Sequence, residues 1–233
     1  MSTVALNGSL SRATAFYDSV IGKKVVMAVT GFILFGYVLA HMLGNLQVFL
    51  PSGPDGIPRL DHYAQQLRAV PPLLWGARLV LLAALILHIV AACQLTWLNK
   101  FESRTSRYVK FTPTASNYAS RTMVWSGPII FFYLIYHLLD LTFGTVNPHF
   151  EEGKVFHNVV ASFHNPVVAV FYIVANILLA MHLYHGIWSM FQTLGVSHPR
   201  HNAILKKASV LFAIGIGMGF CAVPLAVITG IVK

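Results

Sequence analysis

The sequence predicts an all-α membrane protein built as a bundle of five transmembrane helices. Three observations predict it. The 233-residue chain is 56% hydrophobic, with a mean hydropathy of +0.67. Only 10% of its residues are charged, where a soluble domain carries about a quarter. The uncharged residues also run in long stretches: 25–54, 79–99, 122–139, 155–199 and 208–232 contain no Asp, Glu, Lys or Arg. Roughly 20 apolar residues suffice to cross a hydrocarbon layer about 30 Å thick.

Turn and cap signals trim these stretches into helices. The first span, near 25–50, follows the basic pair Lys23-Lys24. Pro71-Pro72 opens the second, near 73–98, since proline fits the first helical turn, where the amide has no intrahelical partner. The third, near 122–144, starts after Arg121 and meets Gly127-Pro128 in its first turns, where a kink is tolerable. Asn165-Pro166 opens the fourth, near 166–193, as N-cap followed by proline. The fifth, near 205–231, is expected to bend at Pro224. Residues 1–233 thus read as a single transmembrane domain. The first 20 residues lack the apolar run of a signal peptide, so the first span is expected to direct insertion. Cys93 and Cys221 lie in apolar stretches without a paired spacing and read as small buried hydrophobes, not as a disulfide or zinc site.

The net charge of +9 would suggest nucleic acid in a soluble protein, but here the basic residues sit in short loops beside apolar spans. Arg12, Lys23, Lys24, Lys100, Arg104, Arg107, Lys110, Arg121, Arg200, Lys206 and Lys207 share one side, eleven of the sixteen Lys and Arg. Asp55, Asp61, Asp140, Glu151 and Glu152 lie on the other. The positive-inside rule places the N-terminus in the cytoplasm and the C-terminus outside.

An imidazole in hydrocarbon is costly without a partner, so intramembrane histidines are functional candidates. The spans hold His41, His88, His137, His182 and His185. Helix rise converts sequence position into depth. His41 lies 17 residues past Lys24 on an outward-running helix, roughly 25 Å along it, which places it toward the outer face. His88, 16 residues past Pro72 on an inward-running helix, falls toward the cytoplasm. His137, counted from Arg121, falls outside, and His182, counted from Pro166, inside. Two imidazoles facing each other at one depth suit an iron with both axial positions filled, and helix bundles place cofactor ligands on facing helices in this way. The expectation is two stacked haems b, the outer ligated by His41 and His137 and the inner by His88 and His182. Zinc, which takes three or four protein ligands in one place, matches less well. A lone histidine in a membrane helix is as often a packing residue, but four on four helices, paired by depth, are harder to assign to packing. His185 is one turn from His182 on a neighbouring face. It could replace His182, touch a propionate or quinone at the inner interface, or cap a polar edge. Gly31, Gly36, Gly44, Gly127 and Gly186 are expected to serve close helix approach.

The stretches GFILFGYVLAHMLGNLQVF, LLWGARLVLLAALILHI, YASRTMVWSGPIIFFYLIYHLLDLT and HLYHGIWSMFQTLG resemble the cytochrome b membrane anchor of bacterial succinate dehydrogenase and fumarate reductase, in its single-subunit, five-helix, two-haem type. The resemblance runs over essentially the whole chain. It implies that the first and third spans ligate the distal haem and the second and fourth the proximal one, which lands on His41, His137, His88 and His182. The family ligand on the fourth span lies four residues before a glycine that precedes an aromatic; His182 stands in that position ahead of Gly186-Ile187-Trp188, which favours it over His185. In some relatives an acidic residue near the outer end of the second span is associated with proton transfer at quinone. Residues 73–87 hold no Asp or Glu, so such a pathway is not expected here.

The function implied is a dihaem anchor of a succinate:quinone oxidoreductase in the bacterial cell membrane. It would dock a flavoprotein and an iron–sulfur subunit at the cytoplasmic face and pass electrons between them and membrane quinone, menaquinone or another. The chain has no flavin motif and no cysteine cluster, so no catalytic residue for succinate is expected in it. Lys100 to Arg121 is a candidate docking surface, equally readable as a topology signal. Arg78, an intramembrane charge on the second span, is assigned to a distal haem propionate; lining a quinone pocket, pairing with Asp140, or snorkelling are its alternatives. Asp140 is open to a hydrogen bond at the outer haem or to a solvated helix end. His62, Tyr63 and Gln65 either border a distal quinone or are simply loop polarity. The competing function is a haem-free anchor or transporter whose histidines serve packing or proton relay.

Overall fold

A computed structural model describes residue 12, residues 14–102 and residues 118–233. In chain order its helices are α1 (Val20–Asn45), α2 (Arg59–Arg68), α3 (Pro71–Trp97), α4 (Tyr118–Leu141), α5 (Val155–Phe163), α6 (Pro166–Thr193) and α7 (Asn202–Ile228). A 3₁₀ turn, Leu46–Phe49, extends α1, and a π turn, Leu98–Glu102, extends α3. No strand occurs among the described residues. Five helices, α1, α3, α4, α6 and α7, are long and apolar enough to cross a membrane. Arg104, Arg107 and Lys110 of the basic loop lie outside the described residues.

Local chemistry sets the helix ends. α1 starts at Val20, earlier than the charge pattern suggests, because Ser19 Oγ accepts the amide of Gly22 at 2.9 Å, satisfying one of the orphan donors of the first turn. Lys23 does not block that start: its Nζ folds back and donates to the carbonyls of Tyr17 at 3.1 Å and Asp18 at 2.7 Å. α3 begins at Pro71. α6 begins at Pro166 behind the Asn165 cap, whose Oδ1 accepts from Val167 N at 3.0 Å. α4 runs through Pro128 and α7 through Pro224.

The five spans alternate in direction, so α1 begins on one face, called here the N-terminal face, and α7 ends on the far face. The short helices α2 and α5 follow α1 and α4 and cap the far face. The charge pattern does not reveal α5, because 155–165 continues the uncharged stretch of the fourth span. Asp61 Oδ1 accepts the amide of Phe156 at 2.8 Å and ties α2 to the start of α5. Asn158 and the backbone of Glu151 exchange two hydrogen bonds of 2.8 Å. Beneath this cap, Val48, Leu60, Val160, Phe163, Tyr172 and Val227 form one apolar cluster.

Through the middle of the bundle and on toward the N-terminal face the core is α1, α6 and α7, with Met42, Leu183, Ile187, Ala213 and Ile216 buried together. Lipid tails are as apolar as these side chains, so close packing rather than water exclusion must hold the helices together. α7 meets its neighbours through small residues: a Cβ on Gly217 would stand 2.9 Å from Ala180 Cβ of α6, and one on Gly219 would strike Met42 of α1. α3 packs on α1, and α4 packs on α6. These flanking helices expose most of their apolar side chains, Cys93 included. Cys93 is therefore not the buried residue expected. Its helix has one packed side, and Cys93 is on the other.

Candidate functional site

The structure brings the histidines together in two pairs. His41 on α1 and His137 on α4 have ring centroids 5.8 Å apart with planes at 86°. His88 on α3 and His182 on α6 have centroids 6.5 Å apart at 61°. His41 and His137 lie toward the far face and His88 and His182 toward the N-terminal face. Each pair joins a core helix to a flanking one. Neither α1 with α4 nor α3 with α6 is among the helix pairs whose backbones pack closely across the described residues. The imidazoles thus meet across a space that the helix backbones leave between them.

The pair toward the N-terminal face, the one expected to be inner, is set by hydrogen bonds. His88 Nδ1 lies 3.2 Å from the Met27 carbonyl oxygen and 3.2 Å from Thr30 Oγ1. A carbonyl only accepts, so Nδ1 carries the proton and Nε2 keeps its lone pair. That is the tautomer of a metal-ligating histidine, whose second nitrogen donates to a carbonyl and orients the ring. Thr30 Oγ1 donates to Val26 O at 2.7 Å, which leaves a lone pair to accept from His88. Gly31 admits the ring: a Cβ there would lie 3.3 Å from His88 Cε1. Across the gap, His182 Nδ1 faces the buried Ser126 Oγ at 3.4 Å. His185, half-buried one turn along α6, stands outside both ring pairs.

The outer pair is set by packing. His137 Nδ1 is buried without a hydrogen-bond partner. Its ring is instead lined by Tyr133 at 6.0 Å and Tyr172 at 5.9 Å. His41 stacks on Tyr37 at 5.4 Å, and its Nε2 is 3.4 Å from Asn45 Nδ2.

Gly36, Gly127 and Gly186 do not serve close helix approach: a Cβ on any of them meets nothing within 4 Å. Two facing imidazoles at each level suit a flat macrocycle held from both sides. Each level presents two protein donors, and no group of three or more His, Cys, Asp or Glu suited to a metal occurs among the described residues.

The structure narrows the alternatives for three polar residues. Asp140 is not a solvated helix end; it is 2% exposed, and its Oδ2 accepts from Ser162 and Tyr172, both at 2.7 Å. The Arg78–Asp140 pairing is not formed, since Arg78 is exposed and lies over the Trp75 ring at 4.9 Å. His62 is bound to Asp55 at 2.8 Å, which holds the Asp55 carboxyl below its ordinary range, chiefly through that hydrogen bond. Tyr63 seats its ring over Gly44, and Gln65 is exposed. Thr30, Ser126, Asn45 and Tyr172 are missing from the sequence-derived site. The depth count that placed the histidines could have found Thr30 and Ser126, because each lies on a facing span at the level of the histidine it touches.

A family model described as succinate dehydrogenase/fumarate reductase transmembrane subunit matches residues 106–220, a little under half of the chain. The matched stretch holds one histidine of each pair, His137 and His182, while His41 and His88 precede it. No curated protein and no solved structure matches the chain. The family match and the five apolar helices support a multi-pass membrane subunit of such a complex.

Proposed function

We propose that this chain is the dihaem cytochrome b subunit of a succinate:quinone oxidoreductase, with its N-terminal face cytoplasmic. His41 and His137 hold an outer haem b, and His88 and His182 hold an inner one. Haem with both axial positions filled exchanges single electrons and does not bind substrate there. The chain carries electrons between an iron–sulfur subunit docked at the cytoplasmic face and membrane quinone, menaquinone being the expected one. Succinate and fumarate are handled by the partner flavoprotein. Arg78 is assigned to an outer propionate and His185 to the inner haem edge.

One observation carries this proposal: two imidazole pairs at two depths, each bridging helices whose backbones stand apart. The family match supports it independently. The test is a reduced-minus-oxidised visible spectrum of the purified complex, with haem per chain counted by pyridine haemochrome. Two haems b per chain is the expected result. One would reduce one histidine pair to packing. None, in folded protein still bound to its partners, would leave a haem-free anchor.

A further inference from the structure

Asp140 is a buried acid that the electron path leaves unused, and it is more deeply buried than Asp61. It is 2% exposed at the far end of α4, and its neighbours Tyr172 and Ser162 are 3% and 6% exposed. A carboxylate in such surroundings is expensive unless its lone pairs are filled. Here one oxygen accepts two hydroxyls at 2.7 Å each, one from α5 and one from α6. Hydrogen bonds to an ionised acceptor are short and roughly twice as strong as neutral ones.

The geometry connects the acid to the outer imidazole. His137 Nδ1 has no hydrogen bond, so nothing like the Met27 carbonyl fixes the rotation of its ring. The aromatic rings beside it are His41, Tyr133 and Tyr172, at centroid distances of 5.8, 6.0 and 5.9 Å. Tyr172 is the one whose hydroxyl is bound to a carboxylate, and its ring is also braced by Phe163 at 4.8 Å. Swinging Tyr172 away from His137 about its Cα–Cβ bond would break its bond to Asp140, while Phe163 stands against the face or edge of the ring and limits its rotation. His137 and Asp140 lie three residues apart on α4, so the chain closes a triangle: ligand, tyrosine ring, acid.

We propose that Asp140 is a positioning residue for the outer haem ligand, acting through Tyr172 to fix the ring plane of His137. This rests on the haem proposal above. Asp140 does for the outer level, at one remove, what Met27 O and Thr30 do directly for His88.

The experiment uses the complex purified from membranes and compares Tyr172→Phe, Asp140→Leu and Asp140→Asn with the unaltered chain. Haem per chain is counted, and low-temperature EPR of the oxidised protein is recorded. The low-field edge of a bis-imidazole low-spin signal moves with the angle between the two ring planes. Tyr172→Phe keeps the ring and removes only the hydroxyl, so it remains informative where Asp140→Leu fails to assemble. The expected result is two haems, with one signal shifted in Tyr172→Phe and Asp140→Leu. The shifted signal is the one that His137→Ala abolishes, and Asp140→Asn, which can still accept, brings it back toward its original position. Two haems with both signals unmoved in Tyr172→Phe would overturn this inference and leave the haem proposal standing. An unaltered chain without haem would overturn both.

Discussion

The inner and outer imidazole pairs use the same residue type on the same kind of helix, yet they are held by different forces. At the inner level, His88 is fixed by two polar atoms of α1, Met27 O and Thr30 Oγ1, and His182 faces Ser126. At the outer level, His137 Nδ1 has no partner, Asn45 stands against the Nε2 of His41, and tyrosine rings supply the rest. A hydrogen bond to the second nitrogen orients an imidazole and raises its basicity. An aromatic contact orients it without choosing a tautomer. If the pairs hold haem as proposed, the inner one is already oriented for it by hydrogen bonds, whereas the outer one must rearrange at Asn45.

The largest effect comes from removing a ligand, and it tests whether the two levels are independent. His137→Ala should eliminate the outer haem and spare the inner one, and His88→Ala should do the reverse, each halving the haem count of the purified complex. His41→Ala should behave as His137→Ala. If His41→Ala emptied both levels equally in folded protein, the pairing by depth would fail.

The next effect separates hydrogen bonding from packing. Thr30→Val keeps the shape and deletes the acceptor beside His88, and loss of such an outer partner costs 10–100-fold in metal affinity. His88 retains Met27 O, so the lower end, about tenfold weaker inner haem retention, is expected, with Thr30→Ser restoring it. Haem dissociation into excess apo-globin measures this level by level. Equal weakening of both haems would mean that Thr30 serves the bundle rather than the inner ligand.

Much of this architecture is legible without coordinates because the bilayer imposes it. Hydrocarbon thickness dictates span length, and a fixed helical rise turns residue number into depth, which is why His41, His88, His137 and His182 could be paired by counting. The environment of Asp140 could not. The groups that bury it lie 22 and 32 residues away in sequence, and one of them sits on α5, a helix hidden inside an uncharged stretch. The glycines show the same limit. Sequence marks Gly31 and Gly36 alike as small residues of one helix. Only the fold shows that Gly31 touches His88 while Gly36 faces open space.

That difference supplies a smaller test. Gly31→Ala places a methyl 3.3 Å from His88 Cε1, so the ring must give by a few tenths of an ångström. At about 1 kcal/mol, the low end for overpacking, inner haem affinity should fall roughly fivefold. Gly36→Ala meets nothing within 4 Å, and at either level it should change affinity less than Gly31→Ala does at the inner one. Haem titration of the two variants side by side checks the contrast.

The smallest effect has the opposite sign and is specific to the outer level. Asn45 Nδ2 lies 3.4 Å from His41 Nε2, a ring nitrogen that could serve as the ligand atom. That contact is long and neutral, so it contributes at most about 1 kcal/mol, and a ligand at His41 must first displace it. Asn45→Ala removes the competitor without touching His137. Outer haem should then bind the same or up to about fivefold more tightly, while Thr30→Val weakens the inner one. Finding weaker outer binding in Asn45→Ala would show that the amide orients His41 rather than competing for it. The outer level would then have a polar support of its own, and the contrast between the two pairs would narrow to His137 alone.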